Sequence, residues 1–290
     1  MKTDKNFFKQ NTNRYVKDLY WLLFSACPLN SESKLLVNLP LFPDEILKEW
    51  KKDSLDYFLD LEKHPNDLIR FVNRPKNNRL GFYAESLLSY FFQTFPKVEL
   101  LLQNFQLVEN KKTLGEIDFI IKWNNRILHL ECAVKYYLYN DKSDVLDMSN
   151  WVGPNGKDTL ARKINKVVNH QLPLLNNKQL TTFNASQEIE SYLFLKGSFF
   201  MNTNLRCDWL NKSNVGNYYF ESELNFDELS DLIELKKPYW MSELDDGHDM
   251  GGVEVINKAH ILSTVKKRPM LIKELKNKAF FIVANNWPIN

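Results

Sequence analysis

Between Thr113 and Lys135 the chain alternates apolar and polar positions, with Ile117, Phe119 and Ile121 in one arm and Leu128, Leu130, Cys132 and Val134 in the other. A period of two is what half-buried strands require. The arms flank Asn124-Asn125. Asparagine tolerates the left-handed backbone of a two-residue turn, so the pattern predicts one antiparallel hairpin.

The pattern upstream is helical. Val16, Leu19, Tyr20, Leu22, Leu23 and Phe24 have helix spacing over residues 12–26, with Cys27-Pro28 as a stop. A second helix is expected from Pro43 towards Leu61, with Asp44 and Glu45 in its first turn and Trp50, Tyr57 and Phe58 filling the core. From Arg79 to Pro96 a third helix is apolar on most sides, through Phe82, Leu87, Leu88, Phe91, Phe92 and Phe95, and is therefore largely buried. Glu85 and Ser89 form its narrow polar stripe. Val98 to Val108 reads as a strand leading into the hairpin.

Downstream, Tyr136 to Trp151 reads as a loop and Gly153 to Gly156 as a turn. Asp158 is expected to cap an amphipathic helix ending near Gln171, with Leu160, Ile164 and Val167 or Val168 inward and Arg162, Lys163, Lys166 and His170 on a polar face. After a polar connection, strands are expected at Tyr192–Met201, Asn217–Leu224, Ala259–Val265, Met270–Leu275 and Phe280–Ala284, with a helix near Phe226–Leu235. Trp209, Tyr239, Trp240 and Trp287 are read as packing residues, and Asp245 to Asp249 as a surface loop.

The polar face of the hairpin carries the candidate chemistry. A two-residue turn at Asn124-Asn125 sets Asp118 opposite Glu131, with Cβ atoms about 5 Å apart, and two like charges so placed call for a cation or a proton. His129, Ala133 and Lys135 share that face. Two oxygen ligands on rigid strands beside an ammonium suit a hard divalent cation working on a phosphate. Charged hairpin faces are also commonplace, and a carboxylate on a buried helix such as Glu85 can serve a salt bridge. A lone strand histidine is more often a satisfied neighbour, and His129 stays outside the catalytic set.

Composition narrows the partners little. The 290 residues exceed one average domain, 44% are hydrophobic and 26% charged, and the net charge is +2. Such a balance neither demands nor excludes nucleic acid. Three cysteines, Cys27, Cys132 and Cys207, show no pairing or metal spacing, which together with the absence of a signal-like start suggests a cytoplasmic home. No apolar run is long enough to span a membrane.

A helix with a glutamate, followed by strands with an aspartate, a glutamate and a nearby lysine, resembles the core of the PD-(D/E)XK nucleases. The phrases DLYWLLFSACPLN, LGEIDFII, LHLECAVKYYL and GPNGKDTLARKINKVVNHQLPL resemble a bacterial family of unknown function, number 1853, grouped with those nucleases. The resemblance covers most of the chain. It implies an α/β, restriction-endonuclease-like core at 71–175, a mixed central sheet flanked by helices, after a helical extension at 1–70 and before a mixed, strand-rich region at 176–290. It implies Mg²⁺ or Mn²⁺ on Asp118, Glu131 and the Cys132 carbonyl, with Glu85 supporting the metal or its water and Lys135 as the motif lysine. The motif's usual lysine position holds Ala133, and the proline that names the motif is replaced by Ile117. Lys157, Arg162 and Lys166 would touch phosphates of a nucleic acid, in the first instance DNA. The implied activity is phosphodiester hydrolysis. A nuclease fold kept without chemistry, as a nucleic-acid-binding or protein-interaction module, is the alternative, and a homodimer is compatible with either.

Overall fold

The structure, a computed structural model, describes residues 13–74, 79–140, 144–180, 188–203, 205, 207–238, 240–242, 255–274 and 278–288. Tyr239 and the 245–249 cluster lie outside the described residues.

Five helices come first: α1 (Arg14–Phe24), α2 (Asp44–Asp53), α3 (Leu55–Lys63), α4 (Asn66–Val72) and α5 (Leu80–Thr94). The single helix expected from Pro43 is two, because the chain turns at Ser54, a buried serine whose hydroxyl donates to the Lys51 carbonyl. Serine competes for backbone groups in this way. Trp50 and Phe58 are fully buried, with Trp50 set among Phe42, Phe91, Phe92 and Trp123. α5 is buried as expected except for Phe82, which faces solvent.

Then follow β1 (Glu99–Glu109), β2 (Lys112–Trp123) and β3 (Arg126–Tyr139) as an antiparallel meander, with β4 (Trp151–Val152), α6 (Leu160–Lys166), β5 (Ile189–Met201), β6 (Val215–Phe220), β7 (Leu232–Glu234), α7 (Lys258–Val265), β8 (Met270–Glu274) and β9 (Phe280–Val283) after it. The strands form one mixed sheet in the order β1-β2-β3-β5-β6-β9-β8-β7, and β4 pairs β3. β3, β5, β6 and β9 are parallel neighbours. α5 packs on one face, where Phe92 meets Phe119 edge-on at 5.2 Å. α6 covers the other, burying Leu160 and Val167 against Tyr137, Tyr139, Leu193 and Leu195. The N-terminal segment is stitched to the sheet, since Leu193 donates to the Pro40 carbonyl and Phe42 to the Leu193 carbonyl.

The hairpin has the expected register: Trp123 pairs Arg126, and pairing continues to Phe119 with Leu130. Asn124 and Asn125 have φ of 46° and 63°, the left-handed values the turn demands. Three further expectations fail. β3 runs on to Tyr139, because Tyr136 to Tyr139 are an unbroken apolar run buried on both faces of the sheet and β4 returns to pair with it. Ala259–Val265 is the helix α7, not a strand; the Asn257 side chain caps it, and Ile261 and Val265 face the core one turn apart. Phe226–Leu235 is a single 3₁₀ turn followed by β7, since Asp231 at φ 51° cannot continue a helix. Trp209 and Trp287 are buried, and the three cysteines are free.

β5 pairs β3 from Ile127 with Ile189 to Leu138 with Phe200, and Gly197 sits opposite Lys135. Gly197 has φ 132°, and a Cβ there would stand 1.7 Å from the Lys135 carbonyl oxygen. Gly197→Ala is therefore expected to cost about 2 kcal/mol or more, because the strand pair must part to admit the methyl. Equilibrium urea unfolding measures it, and a loss under about 0.5 kcal/mol would contradict the close approach.

Candidate functional site

The site forms where β2 parts from β3. On the β1 side the pairs step from Gln103 with Phe119 to Phe105 with Ile117, leaving out Asp118, and Asn104 opposite has φ 49°. On the β3 side pairing ends at Leu130. The Asp118 carboxylate takes over the ladder's function, accepting the Cys132 backbone N–H at 2.8 Å. The sheet thus opens as a fork with Asp118 at its crotch.

Glu131, the next residue of β3, is fully buried. Its carboxyl group accepts from the Gln171 side-chain amide and is hydrogen-bonded to His129 Nε2 at 3.2 Å. Burial lowers the His129 imidazole to about 4, so at neutral pH this contact is a hydrogen bond to a neutral ring rather than an ion pair. Gln171 arrives because α6 continues as a π-helical turn, Val167–Gln171, before a 3₁₀ turn. π turns of this kind re-aim side chains and recur at functional sites.

Three carboxylates share the fork. Burial, then the Asp118 charge, pushes Glu85 on α5 up to about 7, with Glu116 and Glu131 adding to the effect. Burial, then Glu131, raises Asp118 to about 7. Burial raises Glu131 to about 7 against the pull of Lys163 and Lys166. The groups repel one another in a setting poor in water, which is the arrangement a cation relieves.

Lys135 does not neutralise them. Its ammonium pairs with Asp158 at 2.6 Å, and the Tyr137 hydroxyl also donates to Asp158. Asp158 is thereby withdrawn from capping α6, and Thr159 caps it instead, accepting the Arg162 N–H. The lysine that serves the acids is Lys163, which sequence reasoning places on the solvated face. It donates to Gln171 at 3.1 Å, and its own pKa is lowered by burial while Glu131 and Asp118 act to raise it. The signal is present in the chain, since Leu160, Lys163 and Val167 are spaced three and four apart, as the buried face of a helix requires. Glu116 escapes the sequence reading too, although it lies two residues before Asp118 on the same strand. Gln106 donates to it at 3.1 Å. Ser89 belongs to a different contact, donating to Gln103 on β1.

Lys157, Arg162 and Lys166 are exposed near the fork, and Arg162 donates to the Lys157 carbonyl. A cavity of about 610 Å³ adjoins the acids, bounded by β3 from Cys132 to Tyr137, the start of α5, and the turn at 153–158. Among the described residues, no group of three or more His, Cys, Asp and Glu side chains is set to hold a metal ion unaided. That excludes among them a closed zinc- or calcium-type cage. Asp118 and Glu131 are the kind of carboxylate pair that a magnesium-type ion would use, with water and phosphate completing its shell. No helix among the described residues is long and apolar enough to cross a membrane.

Among protein families, the one described as Domain of unknown function (DUF1853) matches residues 17–279. No curated protein and no solved structure matches the chain.

Proposed function

The chain belongs to the DUF1853 family, and from its forked acidic site we propose that it is a restriction-endonuclease-like, Mg²⁺- or Mn²⁺-dependent nuclease hydrolysing phosphodiester bonds, with DNA as the substrate to test first. The observation that carries the reading is the convergence of Glu85, Asp118 and Glu131 on one fork with the half-buried Lys163 beside them.

Asp118 and Glu131 would hold the ion, with the Cys132 carbonyl as a further oxygen. When bound, such an ion polarises a phosphate oxygen and makes water more acidic. Glu85, facing Asp118 from α5, would receive the proton of the attacking water. Lys163, held by Gln171, would stabilise the charge that builds on the phosphoryl oxygens. The Lys135–Asp158 pair stands further along β3 and would position a neighbouring phosphate. His129 keeps the Glu131 carboxylate oriented.

The two lysines then separate kinetically. Lys163→Ala is expected to lower kcat by about 10²-fold, as loss of a transition-state contact does. Lys135→Ala is expected mainly to raise KM. Steady-state rates on one DNA substrate decide it, and the reverse pattern would return the catalytic lysine to Lys135.

One observation favours the binding-module reading. Both Glu131 oxygens are already engaged, by His129 and Gln171. Cleavage of linear, circular and single-stranded DNA with Mg²⁺ and Mn²⁺ separates the two readings.

A further inference from the structure

The cavity beside the acids has a composition that the acids do not explain. Among the described residues its wall carries Arg79, Lys135, Lys157, Lys163 and Lys237 against Glu85 and Asp158. Lys135 and Asp158 satisfy each other. Lys237 is lowered by burial and then by the Lys135 charge, and Lys163 is lowered by burial and by Lys135 and Lys166 while Glu131 and Asp118 on its other side act to raise it. Cations crowded until they repel are relieved by an anion placed among them.

The far wall is aromatic. Tyr136 and Trp240 meet edge-on at 5.2 Å, and the Trp240 indole N–H is fixed on the Leu235 carbonyl. Lys237 lies 4.5 Å from the Trp240 ring centre. An aromatic surface beside lysines is how unpaired bases and their phosphates are held. About 610 Å³ is the volume of a small-ligand pocket, room enough for one nucleotide. Bases in a duplex are stacked on each other, so their faces reach such a wall only when unpaired.

We infer that this cavity seats one unpaired nucleotide of the strand, its phosphate among Lys135, Lys163 and Lys237 and its base against Tyr136 and Trp240, so that the substrate class is single-stranded or frayed nucleic acid. The inference rests on the nucleic-acid reading above. The scissile phosphate would then lie at the fork, one step from the seated nucleotide.

Gly81 offers the test. It lines the cavity on α5, and a Cβ built there meets nothing within 4 Å. Gly81→Ala is accommodated, whereas Gly81→Phe fills the space. In an Asp118→Asn background with Mg²⁺, fluorescence polarisation is measured for labelled single-stranded, overhanging and blunt-ended DNA of one sequence. The single strand and overhang are expected to bind about 10-fold tighter than the blunt duplex, and Gly81→Phe to lose that preference while Gly81→Ala keeps it. Thermal melts of the two Gly81 variants within a few degrees of each other establish that the introduced benzyl group acts by filling space. Equal affinity for blunt duplex, or a Gly81→Phe protein indistinguishable from Gly81→Ala, overturns the inference. The nuclease reading fails separately: wild type that prefers single strands but never cuts them keeps the pocket and loses the enzyme, and wild type that cuts blunt duplex without preference does the opposite.

Discussion

Asp118→Ala and Glu131→Ala are each expected to reduce Mg²⁺- or Mn²⁺-dependent DNA cleavage by about 10³-fold or more, because each removes a carboxylate on which the ion and the phosphate charge depend. Asp118 should be the more informative of the two. Its carboxylate also receives the Cys132 N–H, so alanine frees a backbone donor at the fork, and Asp118→Asn is the companion that keeps an acceptor while removing the charge. Glu131→Ala leaves His129 and Gln171 without their shared partner. Glu131→Gln tests charge with less disturbance. The assay uses linear, circular and single-stranded DNA with all proteins purified identically. Equal cutting by wild type and variants means contamination, and wild type that cuts nothing sinks the enzyme in favour of a binding module.

The hairpin is legible because two local signals agree, the alternation of Ile117 to Val134 and the Asn124-Asn125 turn. Together they fix the register from Trp123 with Arg126 to Phe119 with Leu130, which brings Asp118 and Glu131 to the last pair of the ladder. The fork is not legible. Nothing in alternation reveals that pairing stops at Phe119, because the Asp118 side chain takes over a backbone role. Lys135 has the right strand parity, but parity says nothing about Asp158, which arrives from a turn more than twenty residues later and captures its ammonium. Lys163 is hidden by its type, since a lysine at a buried helical position reads as solvated until the acids opposite are known. The helix α7 is obscured for a related reason: Ile261, Thr264 and Val265 have strand propensity, and the Asn257 cap with inward burial overrides it.

The second large effect concerns pH. Glu85, Asp118 and Glu131 each ionise near 7 in the fold, far above their values in an unfolded chain. The folded protein therefore retains protons that the unfolded chain has released between about pH 4 and 7. Stability from these groups is full below that range, declines as pH rises through it, and is flat above. His129 works in the opposite sense, since its lowered value makes the fold lose stability as pH falls from about 6.5 towards 4. Three groups outweigh one. For Asp118 alone the span from 3.8 to about 7 corresponds to on the order of 4 kcal/mol.

The metal-free protein should accordingly melt at a higher temperature at pH 5.5 than at pH 8, and Mg²⁺ should raise Tm more at pH 8, where protons no longer compete. Asp118→Asn should flatten the pH dependence. Melting temperatures independent of pH, or a Mg²⁺ effect equal at both values, would show that burial and mutual repulsion do not hold protons on the three acids as the fork requires.

Lys196 of β5 is buried, and its ammonium donates to the carbonyls of Leu23 and Ser25 at the end of α1. The groups that close that helix are thus encoded some 170 residues apart. As the chain emerges from the ribosome, α1 is made early but lacks its closing partner until most of the protein has been synthesised. Contacts of such separation slow folding. Only the folded chain brings these groups together, and the strand that carries Lys196 is also the parallel neighbour of β3, so one element both closes the first helix and backs the strand that holds Glu131.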